Sequence, residues 1–210
     1  MFFFYRYGLI CVESKNRINS GIYRIIKKQE KYMENFKTKD YKIFEMFDKD
    51  WGLVTAGTME NHNSCTISWG SLGNIWGDGN KSLSIVTAYI HPARYTSEFL
   101  NESETFTVSF YPQSHKKALG YMGSHSGRDG NKDEAAGLTP IQMGESVTFE
   151  EANLTFLCKK LYEHQFSQDD LVSKVKEYYA SMPEVYPDFK GGWQPHIVFV
   201  GEIIDVLDKR

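Results

Sequence analysis

The sequence of 210 residues predicts a mainly β domain, built as a closed or split antiparallel barrel with peripheral helices. Short runs rich in β-branched and aromatic residues recur along the chain, while helical patterns are few and short. A doubly wound parallel sheet would instead alternate strands with helices. The content of 41% hydrophobic and 15% aromatic residues can build a sizeable core for one domain.

The clearest strand covers residues 105–111, where Phe106, Val108 and Phe110 alternate with Thr107 and Ser109. This period of two predicts a strand that is buried on one face. In chain order the sequence predicts strands at 53–58, 64–69, 83–89 and 105–111, one or two strands within 147–165, and a last strand at 197–206.

The helices and loops are predicted mainly from proline, glycine and polar residues that begin or interrupt regular structure. His91-Pro92 is expected to open a helix that runs to about residue 101, because proline is tolerated in the first turn. Further helices are predicted at 114–123 and 132–137 and from the apolar spacing within 168–182. Glycine-rich residues 70–80 and polar residues 124–131 are predicted to be loops.

The first 32 residues differ from the rest, with seven basic and two acidic side chains in a chain whose net charge is −3. We expect residues 1–32 to be a disordered extension and residues 33–210 to form the domain, with Met33 as the working start. The alternative is a basic, aromatic arm that touches a membrane or nucleic acid. Its apolar run is too short to span a bilayer and lacks the features of a signal peptide. The acidic remainder argues against nucleic acid, so neither partner is expected.

The three cysteines, Cys11, Cys65 and Cys158, are odd in number and far apart. This favours a reduced, cytoplasmic protein over a disulfide framework. No Cys/His cluster has zinc spacing, so no metal is expected.

An anion site is predicted at Arg94, Tyr95 and Thr96, at the start of the expected helix. Free backbone N–H groups there bind phosphate readily, and an arginine adds a planar fork of donors. The alternative is a surface Arg94 that pairs with Glu98 at i+4.

Three segments together carry a resemblance to a known family: G-L-V-T-A-G-T-M-E-N-H-N-S-C-T-I-S-W-G-S-L-G-N-I-W-G at 52–77, S-I-V-T-A-Y-I-H-P-A-R-Y-T-S-E-F-L at 84–100 and T-F-T-V-S-F-Y-P at 105–112. Their order and wording resemble the flavin reductase-like family of FMN-binding split barrels, which includes the flavoredoxins. The resemblance runs from about residue 41 to 208. It implies an FMN-binding split β-barrel.

The resemblance also implies a set of cofactor-binding residues. They are the strand along the flavin (Thr66, Ile67, Ser68, Trp69, Gly70), the phosphate contacts (Arg94, Tyr95, Thr96), a strand end (Ser109, Phe110, Tyr111), a loop (Ser126, Arg128, Lys132) and His196. Each has a structural alternative. Trp69 could be an aromatic residue of the barrel core or of a dimer interface, and Ser109 an ordinary strand residue. The residues at 126–132 could form a loop without a binding role, and His196 could be a structural histidine.

Two departures from the family pattern stand out. Asn131 replaces a usual acid in S-G-R-D-G-N-K, and W-G-D-G-N-K at 76–81 replaces the usual W-G-K-P. The second loop is longer and lacks proline.

The function that the resemblance implies is an oxidoreductase that takes a hydride from NAD(P)H onto FMN and passes electrons to a flavin or a partner protein. A homodimer is expected. The flavin carries the chemistry, so no catalytic side chain is assigned. No G-x-G-x-x-G follows a strand, so a pyridine nucleotide would have to stack over the flavin. The alternatives are a flavoredoxin-type electron carrier without its own NAD(P)H oxidation, and a non-enzymatic module that holds flavin or haem.

Overall fold

A seven-stranded antiparallel sheet forms the body of the computed structural model, which describes residues 35–77, 79 and 81–210. The predicted extension at 1–32 lies outside the described residues. The chain divides into two compact units between Thr38 and Lys39. The described part of the first unit holds a short 3-10 helix, Phe36–Thr38. The second unit holds the strands and the remaining helices of the described residues.

The large sheet has the strand order β2-β1-β5-β8-β9-β4-β3, and β6 and β7 pair separately. The strands are β1 Gly52–Gly57, β2 His62–Ile67, β3 Gly70–Gly77, β4 Ser82–Ile90, β5 Thr105–Phe110, β6 Pro140–Met143, β7 Ser146–Phe149, β8 Leu154–Gln165 and β9 Ile197–Asp208. The helices are α1 Ile43–Glu45, which continues as a π-helical turn Met46–Asp50, then α2 Thr96–Glu102, α3 Lys116–Ser124, α4 Lys132–Ala136 and α5 Ser173–Ala180.

The core fills with aromatic side chains from the central strands. Phe106, Phe156 and Phe199, from β5, β8 and β9, are fully buried, as is Phe149 from β7. In a second apolar cluster, α3 packs against β1 through Leu53, Leu119 and Met122. The alternation predicted for 105–111 is therefore present, but β5 is buried on both faces because β7 and its neighbours cover the side that carries Thr107 and Ser109.

The prediction of a loop at 70–80 was wrong. Residues 70–77 form β3, which pairs along its length with β4. Glycine is tolerated here because β3 is an edge strand whose second half is exposed. At Gly70 the lack of a side chain is required, since a Cβ would overlap the ring of Phe47.

The predicted start of the helix at Pro92 was also wrong. Residues 92–95 form turns and α2 begins at Thr96. The amide of Arg94 donates to the carbonyl of His91 at 2.9 Å, and the amide of Ser97 donates to the carbonyl of Arg94 at 2.9 Å. These i→i+3 bonds make tight turns in place of the first α-helical turn.

The remaining boundaries differ less. The region 147–165 supplies two strands, β7 and β8, and the helix within 168–182 is confined to Ser173–Ala180. Strand β6 and the helical segment from Ile43 to Asp50 were not predicted. Among the described residues, no helix is long and apolar enough to cross a membrane.

Candidate functional site

Two adjacent cavities of about 130 Å³ each meet at Arg94 and Cys65, which line both. The loop-side cavity lies between the turn at 93–96 and the loop at 124–127. The strand-side cavity lies along residues 65–69 and is closed by residues from β4 and from the segment 185–196. Each alone is smaller than the roughly 300 Å³ at which small-molecule pockets begin. Together they form one site in which Arg94 and Cys65 are shared by both cavities.

Arg94 is held in place by the end of α3. Its Nη1 donates to the carbonyl of Gly123 at 2.6 Å, which uses one of its five N–H donors. The predicted alternative, a pair between Arg94 and Glu98, is not what forms, because Glu98 pairs with Arg128. The guanidinium of Arg128 also lies 4.3 Å from the ring centre of Tyr95. This outer pair holds the loop against the turn.

The loop approaches the sheet closely at Gly127. A Cβ there would overlap the side-chain amide of Asn63 and come within 3.3 Å of the Tyr95 ring. Asn63 is buried, and its Oδ1 accepts a 2.7 Å hydrogen bond from the hydroxyl of Thr96. The sequence therefore needs glycine at position 127 to form this cavity.

Lys132 supplies a buried positive charge beside the loop-side cavity. Its Nζ donates to the carbonyls of Ser64, Met122 and His125 at 2.6, 3.0 and 3.2 Å. Burial lowers the pKa of the ammonium, with Cys65 and other charges as smaller influences. Since an ammonium has three donors and all three are used, Lys132 ties together three segments around the cavity.

His62, which was not among the predicted flavin-binding residues, supports the segment that carries Lys132. His62 Nδ1 lies 3.0 Å from the carbonyl of Thr58, and Nε2 lies 2.9 Å from Oδ2 of Asp133. Both partners are acceptors, so the geometry favours the doubly protonated ring. The hydrogen bond to Asp133 accordingly raises the pKa of His62.

Aromatic rings wall the strand-side cavity. The Trp69 side chain is about one-third exposed, and its ring lies 4.6 Å from that of His196 and 6.3 Å from that of Tyr186. The hydroxyl of Tyr179 lies 2.5 Å from Nδ1 of His196. Burial lowers the pKa of His196 to about 3, with further lowering from His91 and Arg94.

His91, which the sequence analysis did not nominate, lies on the same wall. Its Nδ1 accepts from the amide of Ala93 at 3.3 Å, and its Nε2 is buried. Burial and, to a smaller extent, the positive charge of Arg94 lower the pKa of His91, whereas a hydrogen bond to the backbone of Gln194 raises it.

The structure brings together most of the predicted cofactor residues but not all. Lining the two cavities are Thr66, Ile67, Ser68, Trp69, Arg94, Tyr95, Thr96, Ser126, Lys132 and His196. Gly70 packs on Phe47 instead, and Arg128 lies outside, on Tyr95.

The strand end at 109–111 lies in the core and lines neither cavity. The Ser109 hydroxyl forms a buried cluster with those of Thr148 and Thr155, at 2.9 and 3.0 Å. Phe110 packs edge-on against Phe47 and Phe156, and Tyr111 joins the group around α3. A role in cofactor binding for residues 109–111 stays a prediction.

Comparison with known proteins decides the family. The family model described as "Flavin reductase like domain" matches residues 82–210, more than half of the chain. The chain belongs to the flavin reductase-like domain family. This confirms the resemblance inferred from the sequence. No curated protein matches the sequence.

Solved structures of flavin reductase-like proteins share the fold. An FMN-binding protein from Thermus thermophilus with bound 1-cyclohex-2-enone aligns with a TM-score of 0.55 and 21% identity, over 76% of this chain and 70% of that one. Flavoredoxin from Methanosarcina acetivorans gives 0.54 and 18%, over 76% and 68%. The NADH:FAD oxidoreductase SgcE6 of Streptomyces globisporus C-1027 gives 0.51 and 14%, over 75% and 73%. With the sheet order above, they confirm the prediction of a mainly β split barrel.

Proposed function

We propose that this flavin reductase-like domain binds FMN, with the phosphate in the loop-side cavity and the ring system against the strand-side cavity. The observation that carries the proposal is the meeting of two cavities at one arginine. One has loop backbone and two cationic side chains, and the other has aromatic walls. A phosphorylated aromatic cofactor needs both kinds of surface.

The residues of the loop-side cavity suit a phosphate. Arg94 has donors beyond the one taken by Gly123, and Ser126 adds a hydroxyl. Gly127 lets the loop backbone approach without a side chain in the way. The ammonium of Lys132 is bonded to carbonyls, so its role is to hold the cavity and to contribute positive charge.

The residues of the strand-side cavity suit a flat ring. Ile67 and Trp69 present apolar surface, and the segment that carries Tyr186 covers them from outside. FMN, when bound, supplies the hydride and electron chemistry. The side chains bind and orient it and limit access of water, and we assign none of them a proton-transfer role.

The reaction that fits best is reduction of the flavin by NADH or NADPH, with electrons passing to a flavin or a partner protein. Support comes from the family and from the likeness to an NADH:FAD oxidoreductase. A second candidate is an electron carrier that another reductase feeds, which the likeness to a flavoredoxin favours.

We also propose a homodimer. Exposed apolar side chains stand on three of the four strands β8-β9-β4-β3 that form one half of the large sheet: Ile75 and Trp76 on β3, Tyr162 on β8 and Ile204 on β9. Burial of such side chains against a second copy would remove apolar area from water. A reducing, cytoplasmic location agrees with free, buried thiols at Cys65 and Cys158.

One experiment separates these functions. The purified protein is mixed with FMN, desalted and examined by visible absorption, and NADH or NADPH is then added without oxygen. Retained flavin that bleaches supports the reductase, and retained flavin that stays oxidised supports the carrier. Loss of all flavin, with no detectable FMN binding at equilibrium, would refute FMN binding.

A further inference from the structure

The loop-side cavity meets solvent along a seam, where the loop at 124–127 faces the turn at 93–95. The residues along the seam are at least partly exposed, whereas Thr96, Met122 and Lys132, which line the cavity elsewhere, are almost entirely buried. The cavity has a volume of about 130 Å³, well below the roughly 300 Å³ at which pockets for small molecules begin. A ligand that continues beyond the cavity toward solvent must therefore pass through the seam.

Three side chains close the seam from outside. Arg128, which does not line the cavity, pairs with Glu98 of α2. Its guanidinium also lies over the ring of Tyr95, 4.3 Å from the ring centre. The preceding residue, Gly127, lies so close to Tyr95 that a Cβ there would be 3.3 Å from the ring. We call Arg128, Glu98 and Tyr95 the latch, because they join the loop to α2 and to the turn before it.

The latch can open while the ends of the loop stay in place. The side chains of Arg128 and Glu98 are 46% and 57% exposed, and exposed ion pairs and cation–π contacts are each weak. The ends are held separately. The Nζ of Lys132 donates to the carbonyl of His125 at 3.2 Å, and the side chain of Asn131 caps α4. Opening of the latch therefore frees the tip of the loop without releasing its ends.

The state of the latch bears on which flavin the site accepts. FMN ends at its phosphate, the group proposed to occupy the loop-side cavity. FAD continues beyond that phosphate with a second phosphate and adenosine, which are too large for the cavity and have to pass the seam. Passage requires the pair between Arg128 and Glu98 and the contact with Tyr95 to break. FMN can thus bind with the latch closed, whereas FAD needs it open.

We infer that the latch makes the site selective for FMN over FAD, an inference that rests on the proposed binding of FMN. Arg128 then determines specificity from outside the cavity, in place of the direct contact with the cofactor that the sequence predicted. The size of the effect follows from the two contacts that FAD has to break. One exposed ion pair and one exposed cation–π contact together correspond to a factor of about 3 to 30.

The test is a competition between the two flavins. The purified protein is equilibrated with an excess of FMN and FAD at equal concentrations, bound and free flavin are separated by ultrafiltration, and each is quantified by chromatography. The variants are Arg128→Ala and Glu98→Gln. Arg210→Ala is the matched control, because Arg210 also pairs with a carboxylate, that of Asp208, and lies over a tyrosine ring, that of Tyr41, but lines neither cavity.

We expect the wild type to retain FMN in preference to FAD. Arg128→Ala should lower the ratio of bound FMN to bound FAD about 3- to 30-fold, and Glu98→Gln, which removes the ion pair alone, by up to about fivefold. Arg210→Ala should leave the ratio unchanged. Loss of a positive charge at position 128 affects both flavins nearly equally, because a phosphate monoester is close to doubly ionised and the diphosphate of FAD carries one charge on each phosphate. The ratio therefore reports the latch.

Equal retention of FMN and FAD by the wild type would overturn the inference while the proposed binding of FMN stands. So would an unchanged ratio in Arg128→Ala, or an equal fall in Arg210→Ala. A wild type that binds neither flavin would instead refute the proposed function, and the inference with it. The thermal midpoint of each variant is measured first, and if Arg128→Ala does not fold, the smaller fall expected for Glu98→Gln decides.

Discussion

Replacement of Arg94 by alanine tests the proposed phosphate site most directly. The guanidinium lines both cavities and uses one donor on Gly123, so further donors remain for an anion. A hydrogen bond to a charged group contributes about 1.5 to 3 kcal/mol. At 1.4 kcal/mol per tenfold, Arg94→Ala should weaken FMN binding by about 10- to 150-fold.

The assay is a titration of FMN fluorescence at fixed ionic strength, repeated with riboflavin, which lacks the phosphate. Arg94→Ala should weaken FMN binding strongly and riboflavin binding little. Glu98→Ala, four residues further along in α2, is the matched control, because Glu98 pairs with Arg128 at the outside of the loop. We expect its effect to be below about fivefold, since exposed ion pairs contribute at most about 1 kcal/mol.

The loss of the bond to Gly123 could also disturb the loop, and riboflavin controls for this. Equal weakening of FMN and riboflavin would mean that Arg94 acts only by holding the structure, and the phosphate assignment would be refuted. So would equal, negligible effects of Arg94→Ala and Glu98→Ala on FMN.

Three further predictions concern stability. Gly127→Ala should lower the free energy of unfolding in urea by about 1 to 3 kcal/mol, because the new methyl group displaces Asn63. Gly120→Ala in α3 is the control: a Cβ there meets nothing within 4 Å, so this change should be neutral or slightly stabilising. Equal effects of the two substitutions would contradict the close approach at Gly127. Lys132→Met should lower the free energy of unfolding by at least about 2 kcal/mol, because three carbonyls lose their donor, and a neutral result would show that they find other partners. The hydrogen bond to Asp133 raises the pKa of His62 in the folded protein above the value of about 6.5 for a free histidine. The stabilisation from this pair is therefore fully present below about pH 6.5 and is lost as pH rises through the folded pKa. The stability difference between wild type and His62→Gln should therefore shrink from pH 6 to pH 9 in thermal melts, and a constant difference would contradict the ion pair.

The fold could be predicted largely from local patterns. The strand at 105–110 and the final strand have alternation or apolar runs that do not depend on distant residues. The error at 70–77 arose because glycine was interpreted locally, as a loop former. The pairing with β4 and the Phe47 ring that requires Gly70 are both tertiary facts.

Some residues of the candidate site could likewise be predicted from local sequence, and others could not. Arg94 and Thr96 could be nominated because they stand two residues apart where the sequence predicts the start of a helix. Asn63 and His91 were missed, since their roles depend on partners that the fold supplies, Thr96 for the first and the cavity around His196 for the second. His91 is recognised as a site residue because it lines the strand-side cavity of the folded protein.

The place of Arg94 between the cavities has a thermodynamic consequence. Its positive charge is one of the causes that lower the pKa of both His91 and His196. An anion that binds to Arg94 from the loop side partly neutralises that charge, so it must raise the proton affinity of the two rings on the strand side. Linkage makes the effect reciprocal, so protonation of either ring would strengthen the binding of an anion at Arg94.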